Sequence, residues 1–175
     1  MERSARSMKT MIYELTDITK IGTDISDRAE AVSIAQILED VKFTLKNQIY
    51  QSHAKITSNI LIPDLMFSKK NLRSIMYNML SNAIKCAAPD RTPEIFIKTE
   101  KSGDYTLLSI QDNGVGIEEE KRKEIFSKFT RLRPQTEGTG VGLFIVDKMV
   151  SNQGGKIEVV SKVDSGTTFN IYLKS

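Results

Sequence analysis

The chain has 175 residues, 39% of them hydrophobic, which suits one globular unit with a full core and is short for two. Charged residues make up 27% and nearly cancel, so the formal net charge of +3 offers no case for nucleic acid or an anionic membrane as a direct partner. The single cysteine, Cys86, rules out an internal disulfide and fits a reducing, cytoplasmic setting, and the single histidine, His53, rules out clustered His/Cys zinc ligation.

Met8, Met11, Ile12, Leu15 and Ile18 recur at spacings of three and four, which predicts an opening helix with one apolar stripe. Gly22, Asp24, Ser26 and Asp27 break that pattern, and a linker is expected over residues 22–32, with the globular domain at 33–175. Ser33 can cap a helix running to about Tyr50, its inner face formed by Ile34, Ile37, Leu38, Val41, Leu45 and Ile49. Residues 55–62 read as a strand ended by Pro63, and Ser68 can cap a second helix over 69–87. Residues 94–100 and 105–111 are β-rich runs joined by the turn-like Lys101-Ser102-Gly103-Asp104. Residues 121–133 are basic, with Lys121, Arg122, Lys123, Lys128, Arg131 and Arg133 against Glu124 alone, which fits either a solvated loop or contact with an anion. A helix is expected after Gly142, stopped by Gly154-Gly155, and strands over 156–161 and 167–173 flank a turn at Asp164-Ser165-Gly166. The sum is an α/β sandwich with hairpins, and no run approaches the roughly 18 apolar residues that span a bilayer.

On the helix from Lys69, Asn78, Asn82 and Lys85 stand at i, i+4 and i+7 and share one face. The plain interpretation is an amphipathic helix whose Leu72, Ile75, Met76, Met79, Leu80, Ala83 and Ile84 meet the core beside two asparagines. Asparagine is a mediocre helix former, however, and a neutral amide oxygen suits Mg²⁺, which takes few protein ligands when phosphates supply the others. Asp112 ends a β-run and precedes Gly114 and Gly116, allowing close backbone approach to a flat ligand, while a carboxylate there can accept from an exocyclic amine such as that of adenine. The alternative is an ordinary Asp-Asn-Gly turn. Gly138, Gly140 and Gly142 alternate into an apolar helix, an arrangement that presents free N–H groups to phosphate. It is neither a Walker loop nor the Gly-x-Gly-x-x-Gly fingerprint.

Together, Asn78-Met79-Leu80-Ser81-Asn82-Ala83-Ile84-Lys85, the run from Asp112 to Ile117, Ile125-Phe126-Ser127-Lys128-Phe129, the run from Gly138 to Leu143, and Ser165-Gly166-Thr167-Thr168-Phe169 resemble the N, G1, F, G2 and G3 boxes of sensor histidine kinases, in that order. The resemblance covers residues 33–175 and implies a Bergerat-type ATP fold, a mixed, mostly antiparallel sheet on one layer of helices. It implies Asn82 as the Mg²⁺ ligand, Asn78 and Lys85 as phosphate-side contacts, Asp112 as the adenine-reading acid, and Gly114 and Gly116 as the pocket floor. Gly138, Thr139, Gly140, Val141, Gly142 and Leu143 would border the phosphates, and Thr167 would lie near the adenine through its side chain or a water. Asn78, Lys85 and Arg131, the lid arginine, would be the catalytic set. Phe126 and Phe129 resemble lid anchors, although at helical spacing they also fit plain core packing.

The sequence departs from the family pattern in two places. Cys86 replaces the aromatic residue often found after the lysine, and no His-Glu-Leu-Arg-like acceptor segment is present, since His53 precedes a strand in a polar stretch. Leu15-Thr16-Asp17-Ile18-Thr19-Lys20-Ile21 resembles the end of a dimerisation helix, so residues 1–21 are expected to be its tail. The implied protein is a histidine kinase half that acts on a histidine outside this chain. Its implied partners are ATP, Mg²⁺, a histidine-containing dimerisation domain and a response regulator receiver domain, in a homodimeric parent. Hydrolases of the same superfamily carry glutamate at the place of Asn78 to activate water, so slow hydrolysis is expected here. Serine-kinase regulators of sigma factors share the boxes and are the nearest rival, ahead of a nucleotide-gated docking module.

Overall fold

The structure is a computed structural model, and the residues it describes are 28–130 and 140–174. The expected opening helix and most of the linker lie outside them.

The domain begins earlier than expected. Residues read as linker form strand β1 (Glu30–Ser33), which pairs antiparallel with a second short strand, β3 (Asp64–Phe67), from Glu30 opposite Phe67 to Ser33 opposite Asp64. Four residues after a proline are too few to show periodicity, yet the alternation is present: Leu65 and Phe67 are buried and Met66 is exposed. Ser33 then caps helix α1 (Ile34–Thr44), its side chain accepting from Gln36 N at 3.4 Å.

The single helix expected to run to Tyr50 is broken at Leu45, and α2 (Lys46–Ser52) follows. Leu45 is fully buried with φ −90° and ψ 6°, and the preceding Thr44 hydroxyl bonds back to Asp40 O at 2.9 Å, a contact that bends helices. His53 ends α2 in the left-handed region at φ 56°. An exposed helix-stop residue, it has a structural reason to be where it is.

Strand β2 (Lys55–Ile60) leads through Pro63 and β3 to Ser68, which accepts from Asn71 N at 3.2 Å and caps α3 (Lys69–Lys85) as expected. Strands β4 (Glu94–Ser102) and β5 (Tyr105–Asp112) form the expected hairpin, turning at Gly103, whose φ is 57°. Helix α4 (Gly142–Ser151), β6 (Lys156–Lys162) and β7 (Gly166–Lys174) complete the chain.

The five-stranded sheet runs β2-β4-β5-β7-β6; β2 and β4 are parallel and every other pair is antiparallel. Burial alternates along its strands, so Ile95, Ile97 and Thr99, then Thr106, Leu108, Ile110 and Asp112, then Thr167, Phe169, Ile171 and Leu173 line one face. Helix α3 packs between α1 and α4 over that face, burying Leu72, Ile75, Met76, Met79, Leu80 and Ala83. This is the expected one-layer sandwich. Asp112 and Thr167 stand at the end of the helix-covered face, where the hydrophobic layer gives way to polar groups.

Candidate nucleotide-binding site

The site begins with a buried carboxylate. Asp112 closes β5 with only 7% of its surface exposed. Its Oδ1 accepts from Gly114 N at 2.8 Å and Thr167 N at 3.3 Å, and its Oδ2 takes part in neither bond. Burial raises its pKa above the usual carboxylate value, and the two backbone donors oppose that rise.

The loop after Asp112 is fixed from three sides. Asn113 turns away from the site and accepts from Glu94 N at 2.9 Å while donating to Thr92 O at 3.0 Å. Val115 N donates to Cys86 O at 3.0 Å, which ties the loop to the end of α3, and Asp164 N donates to Val115 O at 2.8 Å, which ties it to the β6–β7 turn. The two glycines follow from this crowding. A Cβ at Gly114 would overlap Cys86 O, and one at Gly116, where φ is 72°, would overlap Lys162 O. Sequence reasoning expected these glycines to admit a ligand, whereas their nearest neighbours are other parts of the chain. Cys86 contributes its carbonyl here rather than a ring.

The second glycine segment meets the same helix further back. Val141, buried, precedes α4 with no side-chain cap, so among the described residues the N–H groups of its first turn have no capping side chain, and Leu143 packs on the core. A Cβ at Gly142 would stand 2.6 Å from Asn78 Oδ1, while Asn78 Nδ2 is occupied by Ser74 O at 2.9 Å. Glycine 140, with φ 73°, lies against Thr130, where a Cβ would be 2.8 Å from the carbonyl. The chain therefore leaves at Thr130 and returns beside it at Gly140. Arg131, Arg133, Gly138 and Thr139 lie outside the described residues.

One stretch of α3 thus carries both loops, the second at Asn78 and the first at Cys86, about 12 Å apart at the helical rise. Asn82 and Lys85 lie between these points. Both are half-buried, and neither side chain has a hydrogen-bond or ion-pair partner among the described residues. Among those residues no group of three or more His, Cys, Asp or Glu could hold a metal.

The F-like segment forms a short 3₁₀ turn, Glu124–Phe126, instead of a helix. Its fully buried anchor is Ile125; Phe126 packs at the core edge and Phe129 is 67% exposed at φ 63°, so the two phenylalanines do not act as a pair. Plain core packing thus holds for Phe126 and fails for Phe129. Of the basic segment's described cations, three are engaged locally. Lys121 pairs with Glu118 at 2.6 Å, Arg122 donates to Ser161 O at 2.5 Å, and Lys128 Nζ lies 4.8 Å from the Phe144 ring centre.

Residues 68–175 match the family described as histidine kinase-, DNA gyrase B-, and HSP90-like ATPase. The chain is 37% identical over 108 residues to the circadian input-output histidine kinase CikA of Synechococcus elongatus, covering 59% of this chain and 14% of that protein. It is 32% identical over 164 residues to cyanobacterial phytochrome A of a Nostoc species, covering 93% of this chain and 21% of that protein. Full-length ShkA in complex with AMPPNP shares the fold, with a TM-score of 0.82 at 20% identity over 99% of this chain and 38% of that one. The chain spans only these small fractions of its curated relatives. With more than half of it matched on a sandwich whose two glycine loops meet one helix, the chain belongs to the histidine kinase-, DNA gyrase B-, and HSP90-like ATPase family, as an ATP-binding catalytic domain of the sensor histidine kinase type.

Proposed function

We propose that this domain binds Mg-ATP and presents the γ-phosphate to a histidine on another segment, as the catalytic half of a protein-histidine kinase. The observation that carries the reading is the distribution of chemistry along α3. An acceptor oxygen, Asp112 Oδ2, stands near the C-terminal end of α3, the start of α4 meets the helix about two turns back at Asn78, and Asn82 and Lys85 lie between. Asp112 accepts from the adenine amine, the first N–H groups of α4 take phosphate oxygens, and Asn82 offers its amide oxygen to Mg²⁺. Lys85 starts at the Asp112 end, but helical side chains lean toward the helix N-terminus, which carries its ammonium back toward the phosphates. Mg²⁺, when bound, neutralises phosphate charge. Arg131 adds lid charge, and with Asn78 and Lys85 completes the set acting on the transferred group.

Asn78 distinguishes transfer from hydrolysis. Its amide is bound to Ser74 and cannot take a proton from water, so this chain has no general base at that point. That full-length ShkA is held with an adenine nucleotide on the same fold supports ATP as the ligand. A histidine-bearing dimerisation domain, a response regulator receiver domain and a homodimeric, cytoplasmic arrangement of the catalytic half are the partners and setting this reading entails.

Asp112→Asn replaces an acceptor with an amide that mispairs the adenine amine and should weaken ATP by roughly 1 to 3 kcal/mol. Titration calorimetry with Mg-ATP measures this. Unchanged affinity removes Asp112 from the base-reading role and the reading with it.

A further inference from the structure

Behind Asp112 lies a buried hydroxyl pair: Thr167, expected near the adenine, and Ser161, which stands outside the nucleotide-binding set. Ser161 on β6 and Thr167 on β7 are opposite one another in the ladder, both buried, with their hydroxyl oxygens 2.8 Å apart. Ser161 Oγ also accepts from Ile117 N at 2.8 Å and lies 2.9 Å from Gly166 O. The Ser161 carbonyl is itself held by Arg122 at 2.5 Å, so the group is anchored on its backbone side as well.

The protons in this cluster can be counted. A serine hydroxyl has one proton and two lone pairs, an amide N–H only donates, and a carbonyl only accepts. All three contacts are satisfied together in one way: Ser161 gives its proton to Gly166 O and accepts from both Ile117 N–H and Thr167 O–H. If Ser161 gave its proton to Thr167 instead, Gly166 O would face an oxygen with no hydrogen between them, an unfavourable arrangement inside a buried cluster.

The consequence reaches the site through Thr167. In the β5–β7 ladder Thr167 is directly opposite Asp112, so the two side chains share a face, and the Thr167 amide donates to Asp112 Oδ1. We propose that Ser161 is a positioning residue for base selectivity: by taking the only hydroxyl proton of Thr167 it leaves Thr167 Oγ1, like Asp112 Oδ2, able solely to accept. This end of the site therefore takes a base edge or bridging water that donates, and disfavours a base presenting a carbonyl oxygen there. Ser161 touches no ligand and acts only through Thr167. The proposal rests on Asp112 reading the adenine amine.

The test compares ATP with inosine triphosphate, which carries an oxo group in place of the amine, by calorimetry on the full 175-residue chain. Removing the hydroxyl in Ser161→Ala frees the Thr167 proton to turn outward and donate to the oxo group. The ATP-to-inosine-triphosphate affinity ratio should then fall about three- to tenfold, the worth of one neutral hydrogen bond. Ser161→Thr, which keeps the hydroxyl, should hold the wild-type ratio. A purely structural role would lower the melting temperature and weaken both nucleotides alike, and an unchanged ratio in folded Ser161→Ala overturns the proposal. If that variant does not fold, Thr167→Val carries the test, because loss of the acceptor must also lower the ratio and an unchanged ratio again overturns it. Asp112→Asn, measured alongside, separates the two failures. ATP affinity insensitive to Asp112→Asn refutes the base-reading assignment, whereas sensitivity there with a wild-type ratio in the other variants refutes only the role of Ser161.

Discussion

Asp112 illustrates how one side chain can tie binding and stability to pH in opposite directions. Its carboxyl is held above the usual value by burial, so on acidification it takes up its proton earlier than an ordinary aspartate. If Asp112 reads the adenine amine as proposed, the protonated form loses the accepting charge, and ATP affinity should fall as pH drops through the raised value. Stability responds the other way. Because the folded state holds the proton more tightly than the unfolded chain, folding is favoured as pH falls from the raised value toward the ordinary one, and the benefit is lost as pH rises again. Subtracting the Asp112→Asn variant from wild type isolates both effects. Calorimetric affinities and ATP-free urea midpoints across that window should show difference curves of opposite slope, and parallel slopes would contradict a buried, ligand-facing carboxylate. Asp112 was readable as a candidate site residue because it ends a β-run before two glycines. The role of Asn113 was not, since its partners Thr92 and Glu94 lie about twenty residues away and are brought close only by the β4–β5 pairing.

Among the elements, those with long periodic signals formed as expected. Helix α3 has a serine cap and an apolar stripe over seventeen residues, and the hairpin of β4 and β5 has a glycine turn between alternating runs. The departures occur where length or local hydrogen bonding outweighs pattern. Strands β1 and β3 have four residues each, and the break at Leu45 comes from a buried side chain and a threonine bonding backward, neither of which disturbs the hydrophobic spacing. The glycine loops were legible as loops, but what crowds them was not, because Cys86 and Lys162 approach from distant parts of the chain. A pair of substitutions separates backbone strain from this crowding. Gly103 and Gly116 both have positive φ, but a Cβ at Gly103 meets nothing within 4 Å while one at Gly116 overlaps Lys162 O. Gly103→Ala should cost about 1 to 2 kcal/mol from the left-handed backbone alone, and Gly116→Ala should cost that amount and a further penalty of about 1 to 3 kcal/mol for displacing the β6–β7 turn. Equal losses in chemical denaturation would mean that Gly116 is needed only for its φ.

For the whole molecule, the sheet order places β5 and β7 side by side, so the loop after Asp112 and the start of α4 meet the same helix, and each also gives the core one side chain, Ile117 and Val141. On the proposed function, the nucleotide lies along α3 and the reacting partner comes from outside the sandwich. Such a division of labour predicts slow use of water. With an amide at Asn78 bound to Ser74, and no carboxylate in its place, steady ATP hydrolysis by the chain should stay well below about 1 s⁻¹, the lower range for dedicated enzymes. Supplied with a histidine-bearing dimerisation domain, the same chain should transfer label from γ-³²P-ATP to that domain. The label should be lost in acid and kept in alkali, because a phosphoramidate P–N bond is cleaved once its nitrogen is protonated whereas a phosphoserine ester survives acid. Replacing Asn78 with Asp would restore a carboxylate at the helix position facing Gly142, so hydrolysis should rise relative to transfer. Acid-stable label on the acceptor would assign the chain to serine phosphorylation, and rapid hydrolysis by the wild-type chain would show that water reaches the γ-phosphate with a base elsewhere in the site.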